Sequence, residues 1–304
     1  MTNRVILIAD GGSTKCQWAL SLANSESIGS PKETERIFFE TQGVNPSQMS
    51  LFQIEEILGM SPMWQSIREG AVGSKYAKVS EVRYYGAGCV GGEVNARMAE
   101  ALKNLSGCTN ILVASDMLGA AQAALGRERG VVAILGTGAN TCSYDGSQLL
   151  RNVRPLGYIL GDEGSGADIG KHVVADGLKG LWDSRLTDEL YAFARADYSD
   201  IIRHIYAEPR ANAYLANFAQ FAAQHRERPE IKKILSERFD AFVVRNLLQY
   251  SAEELLGGVS MVGSVACEFA MEIKEACQRH GIRVGKIIRR PLEGMVDYAI
   301  ENCE

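Results

Sequence analysis

Four carboxylates and a series of glycine turns are the parts of this 304-residue chain that can do chemistry. Asp10 ends the apolar run "VILIAD" and is followed by Gly11, Gly12, Ser13 and Thr14. Asp116 comes after a second apolar run, "NILVAS", just before "MLGAAQAALG", and Asp162 and Glu163 stand together in "GDEGS". Glycine turns let backbone amides approach a phosphate closely. A carboxylate beside such a turn suits Mg2+, which keeps much of its water shell. A second carboxylate at a strand end can take the proton of an acceptor hydroxyl. Phosphoryl transfer asks for little beyond such positioned groups. Each residue also has a plainer reading: Asp10 as a turn former, Asp116 as a helix N-cap, Asp162 and Glu163 as acids favoured in a helix's first turn.

The element after each turn decides its use. Beyond Thr14 the sequence alternates, with Cys16, Trp18, Leu20 and Leu22 on one face and Lys15, Gln17, Ala19 and Ser21 on the other. Period two is a strand, so the first turn is a hairpin tip. P-loop and dinucleotide glycines lead into a helix instead. Lys15 reads equally as a phosphate counter-charge or as an exposed strand lysine. No G-x-x-x-x-G-K-[ST] motif occurs. "GAGCVG" at 86–91 is a formal G-x-G-x-x-G after a strand and a local rival for NAD, but it is internal and three strands precede it.

Strands are expected near 4–10, 15–22 and 35–41, and helices over 49–58 and 62–70. The strand "EVRYY" and the helix "EVNARMAEALKNL" come next, then "NILVAS" and its helix. After these stand the strand "VVAIL", the turn "GTGAN" and a hairpin signalled by Asp145-Gly146. From about 187 to 256 the pattern is helical, and the remainder alternates strand and helix. Residues 4–22 and 131–150 are both strand, glycine turn, strand. That repeat implies two α/β domains, 1–112 and 113–290, facing each other across a cleft. The helical stretch is inserted in the second, and a last helix within 291–304 packs back on the first.

Hydrophobic residues at 46% and charged residues at 23% are values of a soluble globular protein. A net charge of −5 and the lack of a Lys/Arg run give no support to a nucleic-acid partner. No apolar stretch reaches membrane-spanning length and no signal-peptide pattern opens the sequence, so no membrane partner and a cytoplasmic location are expected. Seven cysteines without a C-x-x-C pair read as reduced thiols.

Taken in order, D-G-G-S-T, G-V-N-P, G-A-G, "SDMLGA", "GTGAN", "GDEGS" and "MVGSVA" resemble the BadF/BadG/BcrA/BcrD ATPase family. The nearest branch is the N-acetylglucosamine kinases, within the actin-like sugar kinase/Hsp70 superfamily. The resemblance spans nearly the whole chain. It implies an α/β fold of two RNase-H-like (actin-like ATPase) domains with ATP, and Mg2+, in the interdomain cleft. The implied activity is phosphorylation of a hydroxyl of an amino sugar, N-acetylglucosamine first. In this resemblance Asp10 serves the metal, Gly11 to Thr14 (Gly11, Gly12, Ser13, Thr14) form the first phosphate loop, and Gly136 and Thr137 open the second. Gly263 and Ser264 approach the adenosine, and Asp116 matches the general base. Asn45, Gly138, Asn140 and one or other of Asp162 and Glu163 border the sugar. Family members are often dimers, so a homodimer is expected on that ground. Two positions depart from the pattern: Leu135 stands where many superfamily members carry another Asp, and "MVGSVA" replaces the more usual Gly-Gly pair.

Other readings stay open. N-acetylmuramic acid as acceptor would want a cation for its lactyl carboxylate, and Arg151 and Arg154 are near in sequence. The same family contains ATPase activators of 2-hydroxyacyl-CoA dehydratases, which hold a [4Fe–4S] cluster between subunits on cysteines. Cys89 and Cys142 lie in glycine-rich turns, without cluster spacing. A nucleotide switch, as filament or sugar-sensing repressor, is the third class, and no DNA-binding module precedes the first strand.

Overall fold

Every side chain from Val5 to Ala9 in β1 (Arg4–Gly11) is buried, so this strand must be covered on both faces. The structure, a computed structural model, describes residues 4–12, 15–23, 35–72, 75–76 and 78–302. They form two units, Met1–Gly126 with Pro291–Glu304, and Arg127–Arg290.

In the first unit β1 pairs antiparallel with β2 (Lys15–Ala23), and β2 with β3 (Glu35–Gln42). The helices α1 (Leu51–Gly59) and α2 (Pro62–Glu69) and a small ribbon of β4 (Ala71–Val72) and β5 (Lys75–Tyr76) come next. The chain returns through β6 (Val79–Gly86), α3 (Gly92–Ser106), β7 (Ile111–Ser115) and α4 (Asp116–Leu125). Sheet order is β3-β2-β1-β6-β7, with β6 parallel to both β1 and β7. Alternate side chains then build two cores. Leu7, Trp18 and Tyr84 pack with Trp64 and Met98 on one side. Ile6, Ile8 and Tyr85 pack on the other, against Leu292, Met295 and Val296 of the final helix (Leu292–Glu301).

The second unit opens with β8 (Gly130–Leu135), β9 (Ala139–Tyr144) and β10 (Leu149–Val153). Asp145 Oδ1 closes the β9–β10 turn by accepting from the Ser147 and Gln148 N–H groups, both at 2.8 Å. A run of helices comes after it: α5 (Gly157–Leu160), α6 (Gly166–Leu178), α7 (Ser184–Ala194), α8 (Tyr198–Tyr206), α9 (Ala211–Gln224), α10 (Pro229–Arg245) and α11 (Ala252–Leu255). The unit ends with β11 (Val259–Val262), α12 (Ser264–Glu268), α13 (Ala270–Arg279) and β12 (Val284–Ile288), the final helix of the first unit being α14. Sheet order is β10-β9-β8-β11-β12. The two sheets thus repeat one arrangement: three strands as an antiparallel meander, two more added in parallel beside the first.

The first unit runs past the expected boundary at 112, because β7 pairs with β6 in the first sheet and α4 packs beside α14. Among the described residues no helix is long and apolar enough to cross a membrane.

Candidate active site

In the first unit the parallel strands end level. Gly11 faces Gly86, and Gly86 faces Ser115. Ligands of open α/β sheets sit at such carboxyl ends. Asp10 lies just before that row and Asp116 just after it. Gly11 and Gly86 owe their identity to packing: the Tyr84 ring lies beneath both, and a Cβ on either would collide with it. Gly12 N–H donates to the Lys15 carbonyl at 3.0 Å, so that amide closes its own turn. Ser13 and Thr14 lie outside the described residues. Lys15 pairs with Glu40 at 2.5 Å.

Asp116 is not the cap that its position allowed. Ser115 takes that role, its Oγ accepting from Leu118 N–H at 3.3 Å. Asp116 is the first helical residue, and its Oδ1 accepts from Met117 N–H at 2.8 Å. Burial raises its carboxyl, against the pull of that N–H. Asp10 is pushed up to about 6, first by burial and then by the negative charge of Asp116. Neither carboxylate has an ion-pair partner among the described residues. Ser115→Ala is expected to cost about 1 kcal/mol of stability, whereas Asp116→Asn is not. Urea titration of the two variants checks the assignment.

Asn45 meets the same edge. A Cβ on Gly88, in the bend after β6, would collide with Asn45 Oδ1. That oxygen already accepts from Ser47 N–H at 3.1 Å and Ser47 Oγ at 2.7 Å, the turn use of an Asn before proline. The G-A-G segment is therefore a tight bend at the edge, with its glycines spent on Tyr84 and Asn45.

In the second unit Gly136 N–H donates to the Gly138 carbonyl at 3.0 Å, which leaves Thr137 as the exposed tip. The turn is tied to the start of α6: Gly166 N–H donates to the Gly136 carbonyl at 2.8 Å and Ala167 N–H to that of Thr137 at 3.1 Å. Asp162, in the left-handed region at φ 57°, packs its carboxylate against Gly138. Burial raises the Asp162 carboxyl most, the Ala139 N–H lowers it, and Glu163 and Asp168 raise it further. Glu163 is differently placed, ion-paired with Arg245 and accepting from Asn246 Nδ2 at 3.2 Å. Asn140 Oδ1 accepts from Thr141 N–H at 2.9 Å and Asn152 Nδ2 at 3.0 Å.

A cavity of about 90 Å3 adjoins Asp162, walled by Val153, Pro155 and Leu156 and reached by Arg154 and Arg245. Arg151 is engaged elsewhere, donating to the Gln249 carbonyl at 2.6 Å and covering the Tyr250 ring. Gly263 packs against the Leu135 carbonyl, and its N–H donates to that of Ile288 at 2.8 Å. Beside it Ser264 opens onto a cavity of about 420 Å3 with Phe269, Gln220 and Arg289. Cys89 and Cys142 are both buried.

Three contributors give little sign of themselves in the sequence. Ser115 is masked by the neighbouring Asp. Asp168, 2% exposed, accepts from Gly164 N–H at 3.1 Å and holds the "GDEGS" turn; an acid in the first turn of α6 is its only signal. Ala216, Ala219 and Ala223 of α9 leave room for the larger cavity, and their spacing of three and four residues is readable as a smooth helix face.

No protein-family model matches the chain, and no curated protein does either. Solved structures do. A candidate N-acetylglucosamine kinase from Porphyromonas gingivalis is 35% identical over 98% of this chain and 99% of that one, with a TM-score of 0.86. A candidate N-acetylglucosamine kinase from Chromobacterium violaceum matches at 18% identity, 97% and 99% coverage and a TM-score of 0.71. A ROK family glucokinase from Streptomyces griseus, in complex with glucose and AMPPNP, matches at 15% identity, 96% and 98% coverage and a TM-score of 0.58. These last two share the fold. On the strength of the first, the chain belongs to the sugar-kinase family of the Porphyromonas gingivalis protein, built on the two-domain actin-like ATPase fold.

Proposed function

We propose that this protein transfers a phosphoryl group from ATP to a hydroxyl of an amino sugar, N-acetylglucosamine first. The observation that carries the reading is Asp116. It is a partly buried carboxylate at the end of β7, relieved of helix capping by Ser115 and standing near Asp10. A raised carboxyl suits a general base, since its affinity for the acceptor's proton is nearer that needed at the operating pH. The 35% identical relative, itself a candidate N-acetylglucosamine kinase, supports the acceptor class. The ordered motifs of the sequence favour the BadF/BadG/BcrA/BcrD branch.

Asp10 fits a divalent cation because the Asp10–Asp116 pair concentrates negative charge that no described cation answers. Bound there, Mg2+ would neutralise phosphate charge. Gly11 lets the backbone of the first turn lie low at the sheet edge, and Thr137 presents the second turn. Ser264 and the 420 Å3 cavity suit a purine nucleoside. Asp162 is the better placed of the two acids for a sugar hydroxyl, Glu163 being held by Arg245 and Asn246. Asn45 and Asn140 add amide donors. The activator reading loses ground, since Cys89 and Cys142 are buried and present no thiol to a cluster shared between subunits.

ADP formation should be followed with N-acetylglucosamine, N-acetylmuramic acid, glucosamine and glucose, beside a sugar-free control. The expected result is turnover that requires sugar and is fastest with N-acetylglucosamine. Sugar-independent ATP hydrolysis would overturn the kinase reading in favour of an ATPase.

A further inference from the structure

The second unit carries a groove that none of these roles uses. It measures about 740 Å3, within the range of small-molecule sites. Val174 and Leu178 of α6, Ile202 and Ile205 of α8 and Leu215 of α9 give it an aliphatic floor. Tyr158 and Ile159 of α5 form one wall, and Tyr198 and Tyr206 add aromatic edges. Much of this apolar surface faces water: Ile159 is 73% exposed and Tyr206 82%. Apolar patches of this kind on a folded chain mark binding surfaces more often than chance exposure.

The polar part of the lining has one sign. Lys171 on α6 and Lys179, which caps its C-terminus about two turns further on, both line the groove, and no described acidic side chain shares it with them. Lys171 is partly answered by Asp168, 3.4 Å away. Lys179 has no ion pair among the described residues. The nearby acids of α8 and its C-terminal turn are engaged with their own neighbours, Asp200 and Glu208 with Arg203 and Glu208 also with His204. A concave aliphatic floor with a cation at its rim complements a molecule with an apolar body and one negative head.

We propose that this groove is a binding site for a free, water-soluble amphipathic carboxylate, its chain on the α6–α8 floor and its head on Lys179. Concavity selects a small solute over a membrane plane, and the single sign of the rim selects an acid over an alcohol or amine of equal length. The proposal is independent of the kinase reading.

Isothermal titration of the full chain with decanoate and with decanol, below their aggregation concentrations, tests it. Decanoate should bind one per chain and about tenfold tighter than decanol, the worth of one charge-assisted contact. Lys179→Gln should bring decanoate down to the level of decanol, and Ile202→Trp, which fills the floor, should abolish binding of both. Equal affinity for acid and alcohol, or decanoate binding unchanged in Lys179→Gln, overturns the proposal. So does the absence of decanoate binding, which would leave the groove to a protein partner. Lys179 is exposed, so its variant tests the idea even if Ile202→Trp fails to fold.

Discussion

Asp116→Asn should leave a folded protein whose sugar-dependent turnover is lower by roughly 10²–10⁴-fold, the usual worth of a positioned acid–base group. The variant keeps the oxygen that accepts from Met117 N–H, and the helix keeps its cap on Ser115. Melting temperature should therefore move little, and nucleotide affinity should survive because phosphate contacts are assigned to the turns. The loss should fall on kcat rather than on KM, as expected when an interaction exists only in the transition state. Retention of more than about a tenth of turnover sinks the assignment on that same scale. A large fall in stability would show instead that Asp116 supports the start of α4.

Asp10→Asn should do two opposite things. Without divalent metal it should be more stable than the natural chain at pH 8, by about 1–3 kcal/mol after allowance for solvent screening. The sign comes from proton linkage. The Asp10 carboxyl moves from its ordinary 3.8 to about 6 in the folded state. Between those two values the folded chain holds a proton that the unfolded chain has released. Stability therefore falls as pH rises through that window and stays at the lower level above it. Asparagine, never charged, escapes the penalty, so the two melting curves should converge below about pH 4, near the ordinary value. With Mg2+ the gap should narrow or reverse, since a ligand that binds only the folded natural chain stabilises it. Turnover of the variant should be nearly lost at any Mg2+ concentration. Coincident melting at pH 8 without metal would show that Asp10 carries no burden of buried charge.

Much of this is legible in the sequence because it depends on local patterns. Period-two alternation after Thr14 identifies a hairpin, which separates this fold from helix-fed glycine loops. The same unit recurring at 131–150 anticipates a second sheet of like order. Asp116 is readable because an apolar run ends beside it. The hidden features depend on register between distant segments. Nothing local says that Tyr84 passes beneath Gly11 and Gly86, which makes those glycines packing residues as much as phosphate residues. Ser115 and Asp116 are equally good caps on paper, and only backbone geometry chooses between them. Glu163 and Asp162 are adjacent, yet Arg245, from the far end of α10, claims one of them.

The interruption of the first unit by the second fixes an order of assembly during synthesis. The second unit is one continuous stretch, whereas the first needs residues on both sides of it. Ile6, Ile8 and Tyr85 are covered by Leu292, Met295 and Val296. A ribosome adding about 5–20 residues per second delivers that cover roughly 10–40 s after the strands have emerged. During that interval α4 alone covers this face, through Leu118 and Ala123, and the apolar surface left open is of the kind that chaperones hold and that nascent neighbours on the same message can stick to. The unit that begins first is completed last, and a chain stalled before α14 emerges is a client for a holdase rather than a half-finished enzyme.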